Sequence, residues 1–571
     1  MNNQDGSAEL SEKDLNSQST GLTDEQKINE ISIEDANEHV YLEKWALVAT
    51  TTALYLAVFL VALDRTIIAT ALPRITDDFH SIEDIGWYGS SYLLTSCSFL
   101  LTFGRFYTFY CPKWVFLIAI GLFEIGSAIC GAAPSSTSFI VGRAIAGLGS
   151  CGIFSGAIVI ITDSVPLQKR PMYTGFVGAM FGIASVVAPL MGGAFTERVS
   201  WRWCFYINLP IGAVAVAIIF FILKALPPPN PSPAKSLRDR LGQLDFFGIL
   251  CLFPSIICLL LALQWGGSKY SWANARIIVL FILFGLLFVG FVAVQIWKKE
   301  TATVPLRIIK NRSIVAGILY TFCVGGVMMI YIYYLPIWFQ AIKGVSSIKS
   351  GIMSLPLVLS LSTASILAGI LVSRIGYYTP FMYIGTFFIS IGAGLIITFK
   401  PTTMHAKWIG FQFIFGFGLG LGMQQSNVAA QTVLERKDVP TGASLMMFSQ
   451  TLGGAIFLSI AETVFTNNLI KYLQRAIPGH NNDSIIELIS NTGATDLRYV
   501  VASNYLPQVL SAYNDALRQT FIVGLCLSCM TCFGAFSMKW QSVKSQKQSK
   551  TANNAAKSSE DGDANKNFAE V

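Results

Sequence analysis

The chain has 571 residues, of which 53% are hydrophobic and only 13% charged, too few polar side chains to cover a soluble protein of this length. The net charge is +7, yet residues 1–44 hold 11 Asp or Glu against 3 Lys, a balance of −8, so the remainder carries +15. Those bases sit in short loops between apolar runs, which points to membrane topology and away from nucleic acid.

In chain order, the acidic stretch 1–44 has no apolar run of the signal-peptide type and is expected to be a disordered cytosolic tail. From Trp45 onward, apolar runs recur at about the 20-residue length that crosses a bilayer core. They predict fourteen membrane helices, at roughly 45–72, 86–106, 115–133, 138–162, 173–195, 203–225, 243–263, 273–297, 313–340, 350–373, 380–398, 408–430, 441–466 and 520–540. The first six make an N-terminal half (45–225). A cytosolic linker (226–242) follows, with the stiff string Pro-Pro-Pro-Asn-Pro-Ser-Pro. Two extra helices (243–297) separate it from a C-terminal half of six (298–540) with a long extracellular loop (467–519), and 541–571 is a second cytosolic tail. The expected fold class is an all-α integral membrane protein: two six-helix halves around a midplane site, plus two central helices.

Orientation comes from the loop bases. One alternate set of loops holds fifteen Lys or Arg, among them Arg105, Lys113, Lys169, Arg170, Arg436 and Lys437, and the other set holds nine. The richer set is expected in the cytosol, which places both termini inside. The loop 467–519 then lies outside, with a glycosylation pattern at Asn482-Asp483-Ser484 and an amphipathic stretch, 470–477, able to pack over the outer face. A second such pattern, Asn311-Arg312-Ser313, falls inside. The eleven Cys lie almost entirely within apolar runs, so no disulfide framework is expected. Cys526, Cys529 and Cys532, spaced by three on the last helix, read as small core residues, with lipidation as the alternative.

Polar groups inside apolar spans carry the functional expectation. Arg143 sits in Phe-Ile-Val-Gly-Arg-Ala-Ile-Ala-Gly of the fourth span, where a charge costs about 2.5 kcal/mol or more and must face protein or water. It reads either as a structural ion pair or as part of a pathway. Glu124 falls mid-span in the third helix and Glu462 toward the outer end of the thirteenth. Gln424 and Gln425 follow a glycine run in the twelfth, whose spacing fits close helix packing and not a nucleotide loop. The fifth span carries Gly175, Gly178 and Gly182, then Pro189, Gly192 and Gly193, which read as plain packing or as a conformational hinge. Aromatic residues of the ninth span, including Tyr331, Tyr333, Tyr334, Trp338 and Phe339, suit a core, and in a wide cavity would suit planar apolar substrates.

These strings resemble the major facilitator superfamily, in its fourteen-helix drug:proton antiporter branch, over about 45–540. Leu-Asp-Arg-Thr-Ile-Ile-Ala-Thr-Ala-Leu-Pro (63–73) is similar to the branch's first-helix signature, Arg143 with Gly147 to its fourth-helix motif, and the fifth-span Gly/Pro run to its antiporter motif. Ser-Trp-Arg-Trp-Cys-Phe-Tyr-Ile-Asn-Leu-Pro-Ile-Gly (200–212) resembles its entry to the sixth helix. The combination is most similar to fungal toxin and multidrug exporters. Two departures stand out. The fifth span has Ala188-Pro189 where the family has Gly-Pro. The loop at Gly104–Lys113 has Thr108 and Cys111 where the inside-gate motif carries Asp and Gly, which leaves Arg105 and Lys113 to pair with Asp163.

The resemblance implies a proton-coupled efflux transporter for hydrophobic small molecules at the plasma membrane, working as a monomer on substrate and protons in the bilayer. Asp64 and Arg143 are the coupling pair that the resemblance implies; from their places in the spans, Glu124 and Glu462 are further candidate carboxylates, and Gln424, Gln425, Tyr334 and Trp338 are candidate cavity residues. A siderophore uptake carrier, a vacuolar amino-acid transporter and a membrane receptor are the alternatives. The four histidines, His39, His80, His405 and His480, give no metal-ligand spacing, and no Gly-Lys-Ser phosphate loop is present. No catalytic residue, metal or cofactor is therefore expected.

Overall fold

The computed structural model describes residues 43–81, 84–225, 227–230, 245–267, 270–476 and 506–544. The expectations for the tails, Asn482 and most of the Pro-rich linker fall outside these residues. The described chain is helical apart from two isolated bridges, Gly266 with Tyr270 and Tyr377 with Ser542.

The N-terminal half contains α1 (Lys44–Phe79), α2 (Ile85–Phe109), α3 (Pro112–Ala132), α4 (Ser136–Ser164) and α5 (Arg170–Arg198). A sixth span follows, broken at Ile207 into α6 (Trp203–Tyr206) and α7 (Asn208–Ile222). Next come the two extra helices, α8 (Phe246–Trp265) and α9 (Ala275–Lys298). The C-terminal half contains α10 (Leu306–Ile309), α11 (Arg312–Lys343), α12 (Ser347–Met353), α13 (Leu355–Ile375), α14 (Thr379–Ile397), α15 (His405–Met423), α16 (Gln425–Val433), α17 (Val439–Ala476) and α18 (Leu506–Ser537).

Twelve of the described helices are long and apolar enough to cross a membrane. The second and twelfth expected spans, Ile85–Phe109 and His405–Met423, are long helices but do not reach that apolar standard. Both are rich in small or polar residues, and both pack between other helices. The twelfth is also interrupted at Gln424.

Local chemistry sets several ends. Ser135 caps α4 by accepting from Ser138 N at 3.3 Å, and Asp245 and Asn274 cap α8 and α9 in the same way. Asn311 caps α11, accepting from Ser313 N at 3.0 Å, so its glycosylation-like triplet serves as a helix start. α11 and α13 stop at Gly344 and Gly376, with φ of 65° and 96°, the left-handed conformation that glycine adopts without strain.

The loop expected over 467–519 is shorter than its sequence implied. Helix α17 runs on to Ala476 and α18 begins at Leu506. Leu469 and Leu473 of α17 share a buried cluster with Val509, Ala512 and Tyr513 of α18, and Tyr513 meets Phe465 at 5.4 Å. The amphipathic stretch thus extends helix α17 in place of lying over the outer face, because a partner helix covers its apolar stripe.

Each half has its own apolar core. The halves meet along two seams, α5 against α13 and α2 against α17. Helix α8 packs on both α2 and α17, while α9 packs on α8 and turns most of its surface outward. Cys526 and Cys529 of α18 are exposed and Cys532 is half-buried, so they are not the core residues expected: their stripe lies opposite the face that packs on α11.

Candidate functional site

In the N-terminal half, Asp64 of α1 and Arg143 of α4 form an ion pair at 2.6 Å, with 0% and 1% of their side chains exposed. Arg143 also donates through Nε to the Tyr88 carbonyl at 3.0 Å and lies 4.5 Å from the Tyr92 ring centroid. The guanidinium is thereby held on three sides. Gly147, one turn along α4, sits where any Cβ would collide with the Tyr92 carbonyl and Thr95, which lets α4 approach α2 closely enough for these contacts. The second Asp64 oxygen, Oδ1, has no hydrogen-bond partner among the described residues. That oxygen is buried and unsatisfied, and it is the atom of the pair on which a proton could sit.

Glu124 of α3 belongs to the same electrostatic neighbourhood as Asp64. Its carboxylate presses against Gly212 of α7, and neither oxygen has a partner among the described residues. A full charge there has no compensation within the described structure. Glu462 lies apart, on α17 of the other half, and its side chain is exposed.

Helix α17 shows which end is shut. Residues 438–449 are buried without interruption, as are 418–431 and, Phe154 excepted, 149–165. Ser444 bonds to Ser155 of α4 at 2.6 Å, and Thr108 of α2 lies 3.5 Å from Thr441. Gly104 is so close that an added Cβ would stand 2.7 Å from Ser444 Oγ. Glu462 is eighteen residues, about five turns, further along α17 and so on the same face as Ser444. It is exposed where Ser444 is sealed. One face of one helix is thus shut at the Ser444 end and open beyond it.

The sealed end also carries the ion pairs. Asp163 at the end of α4 meets Arg436 at 3.1 Å, across the two halves, and Thr162 donates to Gln431 at 3.3 Å. The expected pairing of Asp163 with Arg105 and Lys113 is corrected on this point. Lys113 donates instead to the Phe220 carbonyl at 2.7 Å, and Arg105 donates to the Thr301 carbonyl at 3.1 Å and stacks over Phe109. The reason is positional. With Thr108 in place of an acid on α2, that helix meets α17 through paired hydroxyls, and Arg436 from the far half reaches Asp163.

The α5 glycines divide by partner. Gly178 and Gly182 face Ser365 and Ser362 of α13, and Gly192 faces Thr70 of α1. Gly193 has more room, with Ile348 Cδ1 3.3 Å from an added Cβ, and Pro189 packs near Gly351. Gln424 lies beside Gly178, at the junction of the halves, and accepts from Asn427 at 3.2 Å. Gln425 donates to Leu421 O at 2.9 Å, and its Oε1 has no partner among the described residues. Trp338 does not line a cavity: it is fully buried and its indole donates to Asn514 at 2.8 Å. Tyr334 is likewise a core residue, packed on Phe465. The aromatic residue left open in that stretch is Tyr333, 55% exposed and within electrostatic reach of Glu462. A separate apolar groove of about 520 Å³, lined by Leu355, Leu359, Ile409 and Phe413, lies on the exposed flank of α13 and α15, away from all these groups.

Sequence reading missed Arg436 as the partner of Asp163, and missed Ser155 with Ser444, because the two halves are joined only in three dimensions. Among the described residues, no group of three or more His, Cys, Asp or Glu is placed to hold a metal ion.

Comparison with known proteins places these features. The family model of the Major Facilitator Superfamily matches residues 54–458. The chain is 54% identical over 538 residues to the MFS-type efflux pump MFS1 of Arthroderma benhamiae, covering 94% of this chain and 99% of that one. It is 47% identical over 511 residues to the rubrofusarin-specific efflux pump aurT of Gibberella zeae, covering 89% and 92%. Among solved structures, the human organic anion transporter MFSD10 superposes with a TM-score of 0.53 at 15% identity, over 84% of this chain and 99% of that one, a likeness of fold.

Proposed function

The chain belongs to the major facilitator superfamily, and from that premise we propose that it exports hydrophobic small molecules from the cytosol in exchange for protons. The efflux pumps it is similar to over nearly its whole length support export. The observation that carries the coupling is the Asp64–Arg143 pair, buried among apolar helices with one carboxylate oxygen unsatisfied among the described residues. A buried pair whose members can part is a switch, since removing one partner's charge costs about 3–5 kcal/mol of lost compensation.

In this reading the described state is closed to the cytosol at Ser155–Ser444 and Asp163–Arg436, and open outward along the α17 face that ends at Glu462. A proton entering from outside neutralises Asp64 and frees Arg143 from α1. The halves then rock, the cytosolic seal parts, and substrate enters between them. Loss of the proton to the cytosol restores the pair and the outward-open state. Gln424, Gln425, Tyr333 and Glu462 are the polar groups placed to meet substrate at the junction. The second and twelfth helices cross the membrane with the other twelve, both termini lie in the cytosol, and the protein works as a monomer in the plasma membrane.

The test is flux in sealed vesicles of defined orientation, with an imposed pH gradient and a labelled planar apolar compound. Asp64→Asn is expected to abolish uphill export, by at least about a hundredfold, while leaving binding of the compound. Arg143→Lys keeps the charge but loses the planar fork, and retains part of the rate. Normal uphill pumping by Asp64→Asn and by Glu124→Gln, each with an unchanged pH profile, overturns the coupling site. Uptake in place of export overturns the direction.

A further inference from the structure

The two helices between the halves are held by a single carboxylate that the transport mechanism above does not use. Asp245 caps α8 and is completely buried. It accepts from Gly248 N at 3.0 Å, from Gln295 Nε2 of α9 at 2.8 Å, and from both the backbone and the hydroxyl of Thr303 at 3.0 Å. Lys298 at the end of α9 adds its ammonium at 3.4 Å. Gln295 extends the knot by accepting from Val304 N at 2.9 Å. Gly248 is required here, because a Cβ would strike the Asp245 carboxylate. Burial pushes the Asp245 carboxyl up, but the bonds from Gln295, Gly248 and Thr303 outweigh it and hold its pKa below the ordinary carboxylate value. It is therefore ionised at cytosolic pH.

What the knot fixes is the strap from Lys299 to Pro305, and that strap touches both halves. On one side Thr301 O accepts from Arg105 of α2. On the other, Glu300 pairs with Arg307 at 2.8 Å, and Arg307 pairs with Asp438, at the start of α17, at 2.8 Å. Helix α8 then runs the length of the same seam. It meets α2 through Phe253 with Phe99 at 4.8 Å and Trp265 with Trp87 at 6.1 Å, and reaches α17 where Gly267 lies beside Thr463. Among the described residues, neither extra helix packs substantially on the α5–α13 seam. The hairpin thus covers only the seam that carries the cytosolic seal, and it is tied down at the cytosolic end.

We propose that Asp245 is a positioning residue for transport: through the α8–α9 hairpin it fixes the 299–305 strap that clamps α2 to the start of α17, and so sets how readily the protein opens to the cytosol to load substrate. This rests on the transport reading, but the clamp itself can be measured without flux. Neither half's core includes a residue of the hairpin, so loss of the knot is expected to shift an equilibrium between states and to leave both halves folded.

The experiment uses the full chain in membranes, with Ser444→Cys as a reporter inside the seal, and follows its alkylation from the cytosolic side by peptide mass spectrometry. Asp245→Ala is expected to speed that alkylation about tenfold over the reporter alone, the size expected for loss of charged hydrogen bonds. Thr303→Val and Gln295→Leu give smaller increases, and Lys298→Ala the smallest. A larger cytosol-open population also lowers the apparent KM for cytosolic substrate while lowering kcat, because apparent affinity scales with the competent fraction. A merely structural Asp245 would cut abundance or Tm and leave both readouts of the surviving protein unchanged. If Asp245→Ala fails to reach the membrane, Thr303→Val and Gln295→Leu decide. Alkylation within twofold of the reporter alone in every variant that reaches the membrane overturns the clamp. Faster alkylation together with an absence of flux in the unmutated protein would instead overturn the transport reading and leave the clamp standing.

Discussion

The two seams that join the halves are built from different materials. Along α5 and α13 the contact is glycine against backbone and small serine side chains: Gly175 against Ser365 O, Gly369 against Pro171 O and Gly182 against Ser362 Oγ, with Ser365 Oγ donating to Gly175 O at 3.0 Å. It runs from the sealed end to Pro189 and Gly351 at the other. Where α2 and α4 meet α17 the contact is made by hydroxyls, Thr108 with Thr441 and Ser155 with Ser444, and by the Asp163–Arg436 pair just before α17; it is gathered at one end, and α8 packs over α2 and α17. Small residues allow two helices to slide or tilt without losing van der Waals contact, whereas hydroxyl pairs and ion pairs hold at one geometry and release at another. The first seam is thus suited to act as a bearing and the second as a latch. Changes of volume should be most damaging at the bearing, and changes of polarity or charge should matter at the latch.

The largest effect is expected from Gly182→Leu, which drives a side chain into the Ser362 hydroxyl and toward the Val358 carbonyl of α13. Transport should fall by up to about a hundredfold, since overpacking of this kind costs roughly 1–3 kcal/mol. Efflux normalised to protein at the membrane is the measurement, and full transport would remove the bearing from the comparison. Gly104→Ala comes next. Its Cβ meets Ser444 at 2.7 Å, so the latch closes poorly and uphill export drops about tenfold, with faster cytosolic alkylation of a cysteine at 155.

Third is Arg436→Ala. Its partner Asp163 is buried, but the Arg436 side chain is 43% exposed, so solvent screening reduces the pair to about 1 kcal/mol or less and the expected loss of rate to about fivefold. The swapped pair, Asp163→Arg with Arg436→Asp, should recover part of it, and recovery equal to either single variant would show that the charges do not act as a latch. Gly193→Ala is expected to change flux by less than about twofold, because the flexible end of Ile348 can give way at 3.3 Å. A severe defect there would mean that the bearing extends further along α5 than its contacts indicate.

The membrane class, twelve of the fourteen expected spans and the ion pair were legible in the chain. Arg143 in an apolar run demanded a counter-charge, and the first-helix string around Asp64 supplied one by resemblance, which the 2.6 Å contact meets. The small-residue character of α5 was equally plain. Less legible were the ends of helices: α17 and α18 run beyond their apolar stretches because each covers the other's stripe, a gain that hydropathy along one segment does not register. Trp338 and Tyr334 were placed in a cavity on aromatic character alone, but whether an aromatic face meets substrate or a neighbour such as Asn514 depends on what the adjacent helix brings.

The sequence by itself determined that this chain lives in a bilayer, because 20-residue apolar runs have no other solvent, and that Arg143 must meet a counter-charge or water, because an isolated embedded guanidinium is too costly. Only the tertiary structure decided which charges meet. Asp163 and Arg436 are 273 residues apart, Ser155 and Ser444 are 289 apart, and Asp245 gathers donors from three segments. An ion pair or a hydroxyl pair depends on distances of about 3 Å, and those follow from how whole helices pack, for which spacing along a chain carries no direct signal.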